Sequence, residues 1–256
     1  MSKRVIFGDW DSAPHLTEEM KQKYLAEMLP SLRDARTRGI PFLGSGAVYP
    51  VPLDTISVKP FPIPDSWLRV YGLDVGWNRT AALWGALDPT TDILYLYSEH
   101  YVAGDAPQVH AAAIKGEGIV SSHRAPWIKG VIDPAARGRT QTDGLRLIAE
   151  YRNFGLDVQP AVNAIQAGIE AVWARLASGR LKVFSTLQFF FKEFMLYRRD
   201  QSGKIIKKFD HLMDALRYLV MSGIARAEAV PVKEEEDYSG RWKVGAQAGS
   251  ASWMSA

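Results

Sequence analysis

The sequence contains no cysteine among its 256 residues. Disulfide bonds, thiol nucleophiles and cysteine-ligated zinc sites are therefore excluded, so any bound metal ion must be held by oxygen or imidazole ligands. No apolar run approaches the roughly 20 residues that span a bilayer, and Asp9 and Asp11 interrupt the short apolar stretch near the amino end. We expect a protein that is neither inserted in a membrane nor secreted.

A second absence concerns nucleotide binding. The sequence has no Gly-x-x-x-x-Gly-Lys-Ser/Thr motif, whose backbone amides and lysine bind nucleotide phosphates. We therefore expect no ATP hydrolysis by this chain. The charge is nearly balanced, with 31 basic and 28 acidic residues, so composition permits an anionic partner without requiring one. A hydrophobic share of 47% is ample for a packed core.

Composition divides the chain into three predicted parts. Residues 1–65 contain a predicted helix over 16–36 and then a proline-rich connector or arm, because its prolines forbid a long helix. Residues 66–228 carry regular strand and helix patterns and form the predicted main domain. Residues 229–256 lack a packing pattern, and we predict that they are disordered.

The main domain opens with a predicted three-strand antiparallel meander. Helices and strands then alternate, so we predict an α/β fold with a mixed sheet, in which parallel strands join the meander and helices cover both faces. The predicted strands are 68–75, 80–87, 93–101, 127–132, 158–162 and 181–184, the predicted helices are 106–122, 143–154, 164–177, 188–197 and 209–227, and a hairpin spans 198–208.

Three aspartates carry the candidate chemistry. Asp74 and Asp133 end apolar strand patterns, and Asp214 lies on the amphipathic closing helix. Taken alone, Asp74 could simply begin a turn and Asp133 could open a loop. Asp214 is harder to explain in this way, because a carboxylate in a mostly apolar helix stretch must find a partner or stay near the solvent edge. A fold that gathers them would provide the carboxylate ligands that hard divalent cations require.

Three segments together resemble a known family. The sequences YGLDVGWNRTA at 71–81, VIDPAARGR at 131–139 and DHLMDALRY at 210–218 are similar to the nuclease domain of tailed-bacteriophage terminase large subunits, in the RNase H-like superfamily. Segment 33–46 is similar to the part that joins the ATPase domain of that family to its nuclease domain. By this resemblance, the chain is the carboxy-terminal part of a packaging motor.

The resemblance implies a metal-dependent endonuclease that cuts double-stranded DNA during viral genome packaging. It implies two divalent cations, Mg or Mn, with Asp74 bridging both and with Asp133 and Asp214 each holding one. The expected partners are double-stranded DNA, the terminase ATPase domain, the small terminase subunit and the portal. The expected location is the cytoplasm of the infected bacterial host.

Basic residues adjacent in sequence to these aspartates are the predicted DNA contacts, although any one of them could simply be solvated. Asp210 and His211 are possible outer-shell residues; for Asp210 we favour a helix cap, and for His211 a surface position. The hairpin could also lie over the cleft and restrict access. The predicted DNA contacts are Arg79, Arg137, Arg139, Lys204, Lys207 and Lys208.

Two alternative functions stay open at the level of sequence. Actin-like and sugar-kinase ATPases also begin with Asp-x-Gly on a first strand, although residues 133–138 match their second phosphate loop poorly. The chain could instead be a non-catalytic docking module of a larger motor. The aromatic cluster around Phe189, Phe190 and Phe194 could stack on bases, but its helical spacing favours core packing.

Overall fold

The computed structural model describes residues 10, 16–27, 37, 46–76, 79–118, 124–134, 141–200 and 202–231, with only the backbone described at 141–146. Its centre is a seven-stranded mixed sheet in the order β1-β7-β4-β3-β2-β5-β6. The mixed α/β fold predicted from the sequence is therefore confirmed.

The centre of the sheet is the antiparallel meander β2 (Leu68–Val75), β3 (Thr80–Asp88) and β4 (Ile93–Val102). These strands form because each is an apolar run bounded by turn residues, and nearly all of β2 and β3 is buried. At the turn between β3 and β4, the side chain of Asp88 accepts a hydrogen bond from the Thr90 amide at 2.9 Å. The meander supplies the rigid floor of the domain.

Short parallel strands extend the meander on both sides. On one side β5 (Gly130–Ile132) pairs with β2 and β6 (Val158–Pro160) pairs with β5. On the other side β7 (Leu181–Phe184) pairs with β4 and β1 (Ser57–Val58) pairs with β7. Each crossover to these strands contains a helix, as parallel pairing requires.

Strand alternation places helices on both faces of the sheet. Gly72 faces the last helix, where a Cβ atom would come within 2.2 Å of the Ala215 carbonyl oxygen. The next residue, Leu73, points to the opposite face of the sheet and shares that face with its cross-strand neighbours Ala82 and His100. His100 there contacts His110, which belongs to a helix covering this second face. The helices are α1 (Glu18–Glu27), α2 (Leu53–Ile56), α3 (Pro107–Lys115), α4 (Gln141–Asn153), α5 (Ile165–Ala177), α6 (Gln188–Leu196) and α7 (His211–Tyr218). None of these described helices is long and apolar enough to cross a bilayer.

Two predicted helices have different bounds or geometry in the structure. The helix predicted over 106–122 stops at Gly116, whose φ of 76° is a left-handed C-cap, and residues 119–122 lie outside the described part. The helix predicted over 209–227 begins only at His211, because Phe209 has a φ of 57°. It continues as a π-helical turn at Leu219–Gly223 and a 3-10 turn at Ile224–Arg226.

Part of the proline-rich arm packs on the domain. Ala47 forms a bridge with Arg198, and the ring of Tyr49 stacks on Phe194 at 5.8 Å and is buried. Strand β1 then lies at the sheet edge before the predicted boundary near residue 65. The division into three parts stays a prediction; residues 28–36 of the first predicted helix and 232–256 of the predicted disordered tail lie outside the described residues.

Candidate active site

The ends of β2 and β5 bring two of the three aspartates together. Leu73 pairs with Ile132, and the Asp133 amide donates a hydrogen bond to the Leu73 carbonyl oxygen at 2.9 Å. Because the two strands are parallel, their carboxyl ends meet at one edge of the sheet. Asp74 and Asp133 therefore end neighbouring strands side by side.

Helix α7 brings the third aspartate over the same edge. The absence of a side chain at Gly72 lets the helix backbone approach β2, and Ala215 at that contact directly follows Asp214. Asp74, Asp133 and Asp214 have exposures of only 8%, 8% and 9%. Gathering three buried carboxylates is costly unless cations or hydrogen bonds compensate for them.

One helix supplies a hydrogen-bond partner to each of these carboxylates. His211 Nδ1 lies 2.9 Å from Asp74 Oδ2, and the Tyr218 hydroxyl donates to Asp133 Oδ1 at 2.9 Å. The buried guanidinium of Arg217 donates to Asp214 Oδ1 from both Nε, at 3.1 Å, and Nη2, at 2.8 Å. Since all three partners belong to α7, the helix orients the whole set.

Among these partners, the sequence predicts only His211, as a possible outer-shell residue, and the expectations miss Arg217 and Tyr218. A signal was available, because Arg217 lies three residues after Asp214 and shares its face of the helix. Tyr218 lies seven residues, or two turns, after His211. An arginine three residues after an aspartate in a mostly apolar helix stretch indicates an ion pair that holds the carboxylate.

The charge at the site remains incompletely compensated. The pKa of Asp74 is raised to about 6, because burial and the negative charges of Asp214 and Asp133 together outweigh the lowering effect of the His211 contact. The same contact with Asp74 raises the pKa of His211. Asp74 therefore lies within electrostatic range of both the Asp214 and the Asp133 carboxylates.

A lysine of the 198–208 hairpin reaches into the site. Lys207 Nζ lies 3.2 Å from Asp210 Oδ2 and 3.3 Å from Asp214 Oδ2. Burial lowers the pKa of Lys207, but the charges of Asp214 and Asp210 outweigh it, so the net shift is upward. Within the structure, this ammonium group occupies a position where the carboxylates attract positive charge.

The other predicted DNA contacts have different surroundings. The Arg79 guanidinium stacks over the Tyr101 ring at 4.2 Å, and the Lys208 ammonium lies 5.3 Å from the Phe209 ring centre. The side chain of Lys204 is exposed at the hairpin turn, where its amide donates to Asp200. Arg137 and Arg139 lie outside the described residues.

The favoured cap interpretation of Asp210 is right for its position and wrong for its side chain. Asp210 is the N-cap residue directly before α7, but its side chain makes no capping hydrogen bond, and its carboxylate pairs with Lys207 instead. The buried carboxylate of Glu193 takes over that role, because its Oε2 accepts a hydrogen bond from the Leu212 amide at 2.6 Å. Glu193 Oε1 accepts the hydroxyl of Tyr101, so the start of α7 is tied to β4.

The aromatic cluster of α6 divides into buried and exposed members. Phe190 and Phe194 are core residues, as the helical spacing predicted. Phe189 is exposed and stacks on Tyr101 at 5.0 Å, so core packing does not explain it.

Among the described residues, no three His, Asp or Glu side chains form a set that could already hold a metal ion.

The seven-stranded sheet, with carboxylates at its edge and on the last helix, defines an RNase H-like domain. The chain belongs to the family described as "Terminase RNaseH-like domain", whose sequence model matches residues 71–222.

Two curated relatives are named "Terminase, large subunit". The chain is 32% identical to the large subunit of Enterobacteria phage LP7 over an alignment of 243 residues. This alignment covers 89% of this chain and 48% of that protein. It is also 32% identical to the large subunit of Salmonella phage P22 over 232 residues, an alignment that covers 85% of this chain and 44% of that protein. The chain therefore spans less than half the length of these relatives.

A solved structure of the P22 large terminase nuclease domain has a similar fold. Its TM-score against this chain is 0.64 at 28% sequence identity, with 73% of this chain and 97% of that domain covered. The predicted family and the RNase H-like fold are confirmed.

Proposed function

We propose that this chain is a metal-dependent nuclease that cuts double-stranded DNA at the edge formed by Asp74, Asp133 and Asp214. One observation carries the proposal: three aspartates far apart in sequence converge within a buried cluster, and each is held by a side chain of α7. A family whose members include relatives named as large terminase subunits supports the same activity.

The donor set fits divalent cations of the Mg or Mn type. Aspartate oxygens are the ligands that these hard ions prefer, and the approach of Lys207 to Asp210 and Asp214 supports the site's affinity for positive charge. When two such ions are bound, they activate water and stabilise the charge that develops on the leaving oxygen of a phosphodiester. Lys207 must move away before cations can bind Asp214 fully.

Each aspartate has a proposed role set by its position. Asp74 ends β2, beside the strand end that carries Asp133 and under the helix that carries Asp214, so it would be shared by both ions, while Asp133 and Asp214 would each hold one. Arg217 and Tyr218 would act as positioning residues, because each occupies one oxygen of its carboxylate and fixes its orientation. Asp210 and His211 would complete the outer surroundings.

Basic residues next to the cluster would hold the DNA backbone. Arg79, Lys204 and Lys208 are the described candidates besides Lys207, and Arg137 and Arg139 follow Asp133 in sequence. Phosphate contacts of this kind fix the position of a duplex without reading its bases. The binding is therefore expected to be sensitive to salt and largely independent of sequence.

The wider setting follows from the relatives. We propose that the chain works within a genome-packaging motor in the cytoplasm of an infected bacterium. Its partners there would be a terminase ATPase domain, a small terminase subunit and a portal. The likeness to phage large terminases along 89% of this chain supports this setting.

A plasmid-cleavage assay with Mn, Mg or EDTA tests the proposed activity. Asp74→Asn, Asp133→Asn and Asp214→Asn should each reduce the cleavage rate about a thousandfold or more, because loss of one ligand disrupts the shared charge site. Asp54→Asn, at an exposed position on α2, is the matched control and should cut like the wild type.

Cleavage that continues in EDTA, or in the Asp74→Asn variant with Mn, would contradict the proposal. ATP turnover by the chain would favour an ATPase in its place. Binding to a motor component without any metal-dependent cleavage would favour a docking module.

A further inference from the structure

Phe209 has an unusual backbone conformation for an aromatic residue. Two described non-glycine residues have positive φ, namely Asp92 at 54° and Phe209 at 57°. Asp92 is a short polar residue whose carboxylate pairs with Arg175 and Arg180, and such residues tolerate this region. Among the described residues, no ion pair of this kind compensates Phe209, so its left-handed conformation costs free energy.

Full burial does not offset that cost. Phe209 is 42% exposed, and Ile206 on the same segment is 43% exposed. The described ring contact of Phe209 is the ammonium group of Lys208 at 5.3 Å. A large apolar ring that is both strained and exposed suggests a role outside folding, because selection for stability alone would favour glycine or asparagine there.

The surroundings of Phe209 indicate what it would contact. The residue directly precedes Asp210, and His211 two positions later contacts Asp74 at 2.9 Å. Lys207 and Lys208 precede it, so the exposed ring lies in a basic segment beside the carboxylates. The lysines would attract a polyanion, and the exposed ring would contact an apolar surface inside it. Duplex DNA offers both, because it has phosphates outside and stacked bases inside.

We propose that Phe209 is a wedge that inserts from the minor groove between adjacent base pairs of duplex DNA beside the bond to be cut. The inference rests on the proposed nuclease function and adds how its substrate is held. Because Asp74, Asp133 and Asp214 are at most 9% exposed, a straight duplex cannot easily bring a phosphate to them. Unstacking one base step kinks the duplex and presents its backbone to a recessed site.

The wedge also predicts a mild sequence preference. Pyrimidine–purine steps such as TA and CA unstack more easily than other steps, so cut sites should be enriched in them. Phosphate contacts alone would produce no such enrichment. Sequencing the ends of cleaved plasmid from the wild type and from a Phe209→Ala variant measures the difference.

The direct test uses short duplexes that carry 2-aminopurine, whose fluorescence rises when the base unstacks. Binding is measured in EDTA, so that cleavage does not enter. The wild-type protein should raise the fluorescence severalfold, Phe209→Trp should keep the rise, and Phe209→Ala and Phe209→Gly should lose it and bind about tenfold more weakly. Trp173→Ala, at an exposed aromatic of α5, is the matched control and should respond like the wild type.

Thermal unfolding separates a wedge from a structural role. Phe209→Gly relieves the left-handed conformation, so its melting temperature should equal or exceed that of the wild type while the fluorescence rise is lost. The inference is overturned if this variant unfolds earlier, if it keeps the rise, or if the wild type never produces one. A Phe209-dependent rise in a wild-type protein that fails to cut plasmid with Mn or Mg would support the wedge and contradict the nuclease.

Discussion

Two buried polar clusters lie on opposite faces of the same sheet and differ in charge. Under α7, the Asp74, Asp133 and Asp214 carboxylates form an acidic cluster, and burial raises the pKa of Asp74 to about 6. Under α3, His100 Nε2 lies 2.9 Å from His110 Nδ1 in a pair whose members are both buried. Burial lowers the pKa of His100 to about 4, so this pair is neutral at pH 7.

The difference distinguishes a structural cluster from the cluster that we propose to be functional. The histidines satisfy each other by one hydrogen bond without net charge, which is how a core accommodates polar groups. The carboxylates keep more negative charge than their α7 partners neutralise, an arrangement that stability alone does not explain. Uncompensated charge of this kind is expected where a cation binds.

The largest expected effect comes from removing the arginine that compensates Asp214. Arg217→Met should lower the free energy of unfolding by about 3–5 kcal/mol, because it leaves a buried carboxylate without its partner. Urea unfolding in EDTA measures this loss. Arg180→Met, which breaks a more exposed pair with Asp92, is the control and should cost no more than about 1 kcal/mol.

Adding Asp214→Asn to Arg217→Met should recover part of the loss, since the unpaired charge is then gone. Equal effects of Arg217→Met and Arg180→Met would mean that Arg217 does not compensate a buried charge.

The histidine pair should respond to acid. The folded-state pKa of His100 lies near 4, below the ordinary value of 6.5, so its contribution is present above pH 6.5 and is lost as the pH falls towards 4. His100→Gln should remove about 2 kcal/mol of this pH dependence. Unfolding of the wild type and of His100→Gln, measured between pH 7 and 4 in EDTA, shows the change. As a control, the variant should cleave plasmid at pH 7.5 at the wild-type rate.

The neighbours of the pair could mask this effect. Asp105 and Arg124 also act on His100, the first raising its pKa and the second lowering it. Asp105→Asn should therefore shift the acid transition without abolishing it. An acid transition that is the same in the wild type and in His100→Gln would refute the role of the pair.

The acidic cluster should show the opposite dependence on pH. The folded-state pKa of Asp74, about 6, lies above its ordinary value of 3.8, so its contribution is present below pH 3.8 and is lost as the pH rises through 6. Without metal, Asp74→Asn should stabilise the fold by about 1–2 kcal/mol at pH 7 and have no effect near pH 4.

Thermal unfolding in EDTA across this range checks the sign, with Asp54→Asn as the exposed control. A destabilised Asp74→Asn protein at pH 7 would mean that His211 already compensates the carboxylate.

The smallest expected effect concerns Lys207, whose side chain is 57% exposed. Its replacement in Lys207→Met should change metal-free stability by less than about 1 kcal/mol, because exposed ion pairs contribute little. The concentration of Mn needed for half-maximal stabilisation should nevertheless fall a few-fold, since a competing cation is removed. Lys204→Met, on the same hairpin, should leave that midpoint unchanged.

The sequence predicted the parts of this architecture that depend on local patterns. Strand 68–75 is found at the predicted bounds, and so is strand 181–184, because apolar runs between turn residues define them. The convergence of Asp74, Asp133 and Asp214 followed from their places at strand ends and on the last helix. Their role as metal ligands stays a prediction.

Other features could not be predicted because they depend on tertiary contacts. The rotation of α7 about its axis decides that Arg217 and Tyr218 meet the carboxylates, and packing at Gly72 sets that rotation. Glu193 caps α7 from 19 residues away in sequence, a relation that no local pattern contains. The left-handed conformation of Phe209 is a property of the folded backbone that no pattern in the sequence indicates.

We propose that Asp74, Asp133 and Asp214 together bind divalent cations. The most direct measurement is the melting temperature in EDTA and in millimolar Mn, for the wild type and the three Asp→Asn variants. The wild type should be stabilised by Mn, by about 2.7 kcal/mol at a hundredfold excess over Kd, and each variant should lose most of that gain. An equal response to Mn in all four proteins would contradict the claim.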